Sequence, residues 1–164
     1  MVACPGNHDQ DCWEVLASEM RAAGMYPLRD ETWELELGGM VVEVVGVDFR
    51  WKGVDEATAE LLARHPRAPS VGLSILLCHD PRVFGGLPTE RFQLAVAGHT
   101  HGGPLALDMF GVRWSVLSLF GLRDLGVDQQ AGCWLHVHPG NWLVAIPPRL
   151  GSAPEITVLD LVPR

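Results

Sequence analysis

Three short apolar runs in this chain each stop at a loop that opens on potential metal or phosphate ligands, and this arrangement constrains the fold more than any other feature. Met1-Val2-Ala3-Cys4 leads into Pro5-Gly6-Asn7-His8-Asp9. The run Val71 to Cys78 leads into His79-Asp80-Pro81, and Gln93 to Ala97 leads into Gly98-His99-Thr100-His101-Gly102-Gly103. Short apolar runs bounded by Gly and Pro read as buried strands. Loops at the ends of such strands are where an α/β fold carries its chemistry. His99 and His101, one residue apart on a sharply turned backbone, can reach neighbouring metal positions, while Gly98, Gly102 and Gly103 permit angles that a side chain forbids. Alone, that segment reads equally as a Gly-rich turn with two exposed histidines. In company with the other two it favours a metal site.

The rest of the chain supplies ordinary elements. Asp9 or Asp11 is placed to cap a helix with Trp13, Leu16, Ala17 and Met20 on its core face and Gly24 as its stop. Thr32 to Leu37 alternates, Gly38-Gly39 turns, and Met40 to Val47 continues as a more apolar strand, which predicts a hairpin. Asp48 to Gly53 is a loop. Asp55 to His65 is a helix ended by Pro66, with His65 a helix-end residue. Arg82 to Arg91 reads as a connection, and Val112 to Leu119, Cys133 to Val137 and Ile156 to Leu161 as strands, with irregular backbone at Pro147-Pro148 and Pro154. His136 and His138 end one of these strands as a His-x-His pair, a candidate for metal ligation, but no further carboxylate or His lies near them in sequence, so ordinary surface or loop histidines are the preferred reading.

Composition narrows the function classes. With 164 residues, 48% of them hydrophobic and 20% charged, the chain fits one globular domain over 1–164. A net charge of -8 with Lys52 as the single lysine argues against a nucleic-acid surface. No apolar run approaches the roughly 20 residues that span a bilayer, and the N-terminus has no signal-peptide pattern, so the expectation is cytoplasmic. Cys4, Cys12, Cys78 and Cys133 form no Cys-x-x-Cys pair. They read as buried free thiols, and a zinc-structural module is disfavoured.

Gly-Asn-His-Asp, a strand-end His and Gly-His-Thr-His, in that order, resemble the C-terminal motif set of the calcineurin-like metallophosphoesterases. Gly-His-Thr-His-Gly-Gly with Pro154-Glu155-Ile156-Thr157 resembles the bacterial YaeI- and YkuE-like branch. The resemblance implies an α/β two-sheet sandwich flanked by helices, and hydrolysis of phosphomonoesters or phosphodiesters, small-molecule or lipid-linked, by a binuclear centre. It implies Asn7, His79 and His99 as ligands of one ion, His101 as a ligand of the other, and His8 as a catalytic group beside the phosphate. The donor types suit Mn²⁺, or Fe²⁺ and Zn²⁺. The family's upstream Asp-x-His and Gly-Asp-x-x-Asp motifs do not occur here, and Pro104 stands where a Gln often follows the central motif. The expectation is therefore a chain lacking the family's first strands and helices. One ion rather than two, impaired catalysis and self-association through uncovered sheet edges follow from it. A missing segment could also carry a membrane or export signal. The alternative is a noncatalytic metal-binding fragment or subunit, and Asp48 and Asp80 are the carboxylates to consider as a substitute bridge.

Overall fold

The computed structural model describes residues 1–88, 90–103, 105–110, 112–130, 132–141 and 150–162. Its centre is a six-stranded mixed sheet in the order β3-β4-β5-β6-β10-β9. The strands are β3 (Glu31–Leu37), β4 (Met40–Gly46), β5 (Val71–Leu77), β6 (Leu94–Ala97), β9 (Gly126–Gln130) and β10 (Cys133–Val137). The four inner strands β4, β5, β6 and β10 run parallel, while β3 and β9 close the edges antiparallel. The inner strands are the near-continuous apolar runs of the sequence, as strands covered on both faces must be.

One face holds the main core. Val45, Leu76, Ala95 and Leu135 pair in register across the four parallel strands and are all fully buried. They pack with Leu61 and Leu62 of helix α2 (Val54–Arg64), with Val83 and Phe84 of a 3-10 turn (Pro81–Gly86), and with Phe92. The same face buries Glu43, whose carboxylate accepts from Arg91 at 2.7 and 3.1 Å and from the Ser74 hydroxyl. Arg91 also donates to the carbonyl of His65, at the end of α2, which confirms His65 as a helix-end residue. Glu43→Ala leaves a buried guanidinium without its charge partner. Unfolding in denaturant is expected to show a loss of about 3–5 kcal/mol, and a loss under 1 kcal/mol would mean that the pair contributes little.

The opposite face carries a smaller layer. Strands β1 (Val2–Ala3) and β2 (Tyr26–Pro27) pair in parallel, joined by helix α1 (Trp13–Ala22). Leu28 packs onto Gly46 of β4, where an added Cβ would lie 2.3 Å from the Leu28 side chain, and Tyr26 stacks on Trp33 of β3 at 4.6 Å. Among the described residues this layer, rather than a second large sheet, faces the six-stranded one. A hairpin of β7 (Ala106–Met109) and β8 (Val112–Ser115) forms a separate two-stranded sheet.

Several expectations need correction. Helix α1 starts after Cys12 with no side-chain cap, because the Asp9 carboxylate is taken by the Gly6 amide at 2.7 Å. Val112 to Leu119 splits into β8 and helix α3 (Val116–Leu119). Ser115 accepts from the Ser118 amide and its own amide is met by the Ser118 hydroxyl, a reciprocal cap that overrides the β-branched pattern. The connection 82–91 contains the 3-10 turn, with Asp80 capping it. Ile156 to Leu161 forms no strand, and Ile156 and Val158 are largely exposed. Pro104 and Pro147-Pro148 lie outside the described residues. Cys78 and Cys133 are buried as expected, whereas Cys12 is exposed. Edge strand β3 carries Glu31, Glu34 and Glu36, charges that oppose edge-to-edge pairing. No described helix is long and apolar enough to cross a membrane.

Candidate metal centre

Hydrogen bonding continues past the strand ends and lays the loops side by side. The Cys78 amide donates to Val96, the Gly98 amide to His79 and the His138 amide to Ala97, all at 2.8–3.0 Å. His79 and His99 therefore leave adjacent strands together. From the smaller layer, the turn after β1 brings Asn7 over the same edge. At Gly6 an added Cβ would sit 3.0 Å from the His79 ring, so a larger residue would press on the imidazole that this turn lies against. The outcome is a contact chain in which His79 Nε2 lies 2.9 Å from Asn7 Oδ1 and 3.0 Å from His99 Nδ1.

His101 is half-buried on the same loop, near enough to His79 and His99 to disfavour their charged forms, and its carbonyl accepts from Ser152 at 3.0 Å. His8 is exposed and close enough to His99 to act in the same sense. All five residues singled out in the sequence thus gather at one end of the sheet. His136 and His138 end the neighbouring strand β10 with rings 6.0 Å apart. His136 is buried with neither ring nitrogen hydrogen-bonded, and His138 Nδ1 accepts from the Gly140 amide at 2.8 Å.

Comparison with known proteins agrees with the motifs. No family model matches the chain. It is 29% identical over 160 residues to YkuE of Bacillus subtilis strain 168, whose name is uncharacterized metallophosphoesterase, covering 95% of this chain and 54% of YkuE. The chain is thus similar to a protein that bears the metallophosphoesterase name. It is also 25% identical over 173 residues to the phosphodiesterase YaeI of Escherichia coli K12, covering 98% of this chain and 57% of YaeI. To YpbG of Bacillus subtilis it is 27% identical, over 95% of this chain and 56% of that protein. The chain spans about half the length of these curated relatives.

The donor set fits a metal ion. Adjacent ligands on a six-coordinate dication, with bonds of about 2.1 Å, stand about 3 Å apart, as His79 Nε2 does from Asn7 and from His99 here. Burial, then His99, pushes the His79 imidazole down to about 4, and burial likewise lowers His99, so both rings are neutral and have lone pairs to give. Among the described residues no group of three or more His, Cys, Asp and Glu side chains makes a metal cage. The third donor here is instead an asparagine oxygen. Asp48 and Asp80 are both committed elsewhere. Asp80 accepts from the Arg82 amide at 2.9 Å and from its guanidinium at 2.6 and 2.8 Å, and Asp48 accepts from Gln10 and Arg29, each at 3.0 Å. Burial raises Cys4 to about 12 and Cys78 well above the usual thiol range, so neither offers a thiolate.

Two features were missed in the sequence. Phe49, in the loop after β4, is buried with its ring 5.7 Å from His79 and 5.3 Å from His99, and it turns an edge to Trp51 at 4.8 Å. Its only signal was an aromatic at a strand end. The second is backbone strain. His99 and His101 themselves take left-handed angles, φ +68° and +52°, alongside Gly102 at +67°. Each costs a non-glycine residue about 1–2 kcal/mol, and such strain persists where surroundings over-determine it, characteristically at functional sites.

The depressed His79 has a sign in solution. Without metal, the unfolded imidazole titrates near 6.5 and the folded one at about 4. Below pH 6.5 the unfolded chain takes up a proton that the folded chain refuses, so stability is complete above that value and falls toward pH 4. Denaturant midpoints in chelator at pH 7.5 and 5 are expected to show the fall, reduced in His79→Gln. An equal fall in both proteins would remove His79 as its cause.

Proposed function

We propose that the chain carries one half of a binuclear centre that hydrolyses phosphomonoesters or phosphodiesters, with Asn7, His79 and His99 holding one divalent ion and His101 belonging to the other. The observation that carries this reading is the contact of Asn7, His79 and His99, delivered from three separate strand ends, in a chain similar to a phosphodiesterase and to metallophosphoesterases. A dication there supplies Lewis-acid stabilisation of phosphate charge and acidifies water. The chain's own residues do the rest. Asn7 gives an oxygen and the two imidazoles give nitrogens kept neutral by burial. Phe49 backs both rings and excludes water from that side. His8, exposed beside the cluster, is free to approach the phosphate, stabilising its charge or protonating the leaving oxygen. Mn²⁺, Fe²⁺ or Zn²⁺ suits these donors better than Mg²⁺.

The remaining ligands would lie on a segment outside this chain that bears Asp-x-His and Gly-Asp-x-x-Asp. The commitment of Asp48 and Asp80 to other partners favours a second reading for residues 1–164 alone, a mononuclear metal-binding unit. Titration calorimetry with Mn²⁺ or Zn²⁺ tests both. One tight site per chain is expected. Two tight sites would mean that further residues ligate, His136 and His138 first, and none would end the metal reading.

A further inference from the structure

We propose that Asp124 is a positioning residue of this site, clamping the strained loop that presents His99 and His101. The inference rests on the metal reading above. Asp124, Thr100 and Ser115 are all buried. Between the two histidines, Thr100 donates through its hydroxyl to the Asp124 carbonyl at 2.8 Å. The Asp124 carboxylate accepts from Ser115 and from Arg113, the latter at 2.9 Å, and Arg113 extends its other nitrogen to the carbonyl of Gly102. Each histidine is thus flanked by an anchored neighbour. The loop's own bonds, Thr100 amide to Gly98 and Gly103 amide to Thr100, only curl it, and the Gly98 amide on His79 and the Ser152 hydroxyl on the His101 carbonyl hold it beside the clamp. Gly103 fits tightly over the clamp, since a Cβ there would lie 2.6 Å from Ser115 and 2.7 Å from the Asp124 carboxylate.

The anchor is itself part of regular structure. Arg113 and Ser115 stand on β8, paired with β7, and Ser115 also caps α3. A buried carboxylate between a guanidinium and a hydroxyl, with no role as ligand, has one evident effect on this site. It holds the backbone on which two ligands sit in a conformation that an unrestrained chain would leave. Groups that orient ligands from behind typically set metal affinity by about 10- to 100-fold.

The test uses the whole chain and two readouts. Asp124→Ala removes the carboxylate that Ser115 and Arg113 share while keeping the carbonyl that Thr100 uses, Asp124→Asn keeps an oxygen for Ser115 and Arg113, and Val45→Ala is a core variant on β4, outside the clamp, that costs stability. Mn²⁺ affinity by calorimetry is expected to fall about tenfold or more in Asp124→Ala, and to stay near wild type in Asp124→Asn and Val45→Ala. Three-bond amide-to-Cα-proton couplings of His99 and His101, measured without metal, are expected to leave their left-handed values only in Asp124→Ala. If they stay unchanged in that variant, the clamp is overturned whatever the affinities. If they change while wild type binds no metal, the metal reading fails and the clamp stands. An affinity loss in Val45→Ala equal to that in Asp124→Ala would reduce Asp124 to a general stability role and overturn the proposal.

Discussion

Joined to an upstream segment that bears Asp-x-His and Gly-Asp-x-x-Asp, such as the corresponding half of a relative, this chain is expected to hydrolyse bis-p-nitrophenyl phosphate with Mn²⁺ orders of magnitude faster than residues 1–164 alone. The reason is charge. Two dications held close together repel unless an anionic bridge lies between them, and the best-placed carboxylates here already serve other partners. Asp80 caps the 3-10 turn and pairs with Arg82, and Asp48 is shared by Gln10 and Arg29. Freeing either would break an ion pair with an arginine. Orientation and double-charge stabilisation are each typically worth several kcal/mol in such reactions. In the extended protein, His8→Ala is expected to cost a further factor of about 10²–10⁴, the usual range for a lost general acid or base. If the short chain matched the extended one, the half-site proposal would be wrong. Asp48 and Asp80 would then be the first residues to mutate.

The second large effect is on metal binding. His79→Ala and His99→Ala are each expected to abolish the tight site, a loss of about a hundredfold or more, beyond what orienting groups alone achieve. His79 should be the more severe, because its Nε2 touches both other donors. His65→Ala, at the end of α2, should bind as wild type does. Circular dichroism guards against misreading an unfolded variant, since His79 also supports the Gly6 turn. Retention of tight binding in His79→Ala would remove the cluster as the site.

The parts of this molecule that were legible in its sequence are those decided by short-range patterns. β4, β5, β6 and β10 are apolar runs ended by turn residues, and α2 has its period and its stop at Pro66. Asn7, His79 and His99 each follow such a run, and the resemblance of their motifs to those of the calcineurin-like metallophosphoesterases is what grouped them as ligands. What escaped depends on partners distant in the chain. Nothing around Glu43 shows that Arg91 will neutralise it inside the core. Nothing near Thr100 points to Asp124. The cap that Asp9 could have given α1 went to the Gly6 amide, and Ser118 turned an apparent strand into a helix. The glycines of the central motif suggested where unusual backbone angles would fall, yet two histidines adopt them as well. Glycine content says that a tight turn is affordable, and only tertiary contacts decide which residues bear its strain.

Asn7 is the one proposed ligand that does not come from the large sheet. It arrives on the turn after β1, in the small layer held over Gly46 by Leu28 and over Trp33 by Tyr26. An ion bound by Asn7, His79 and His99 is therefore a rivet between two layers, and lifting the outer layer and releasing the ion become one event with one free energy. Partial opening of residues 1–30, which would show as amide hydrogen exchange, is suppressed in proportion to metal occupancy. By the same linkage, a substitution at Leu28 or Tyr26 that loosens the layer weakens metal binding without touching a donor atom.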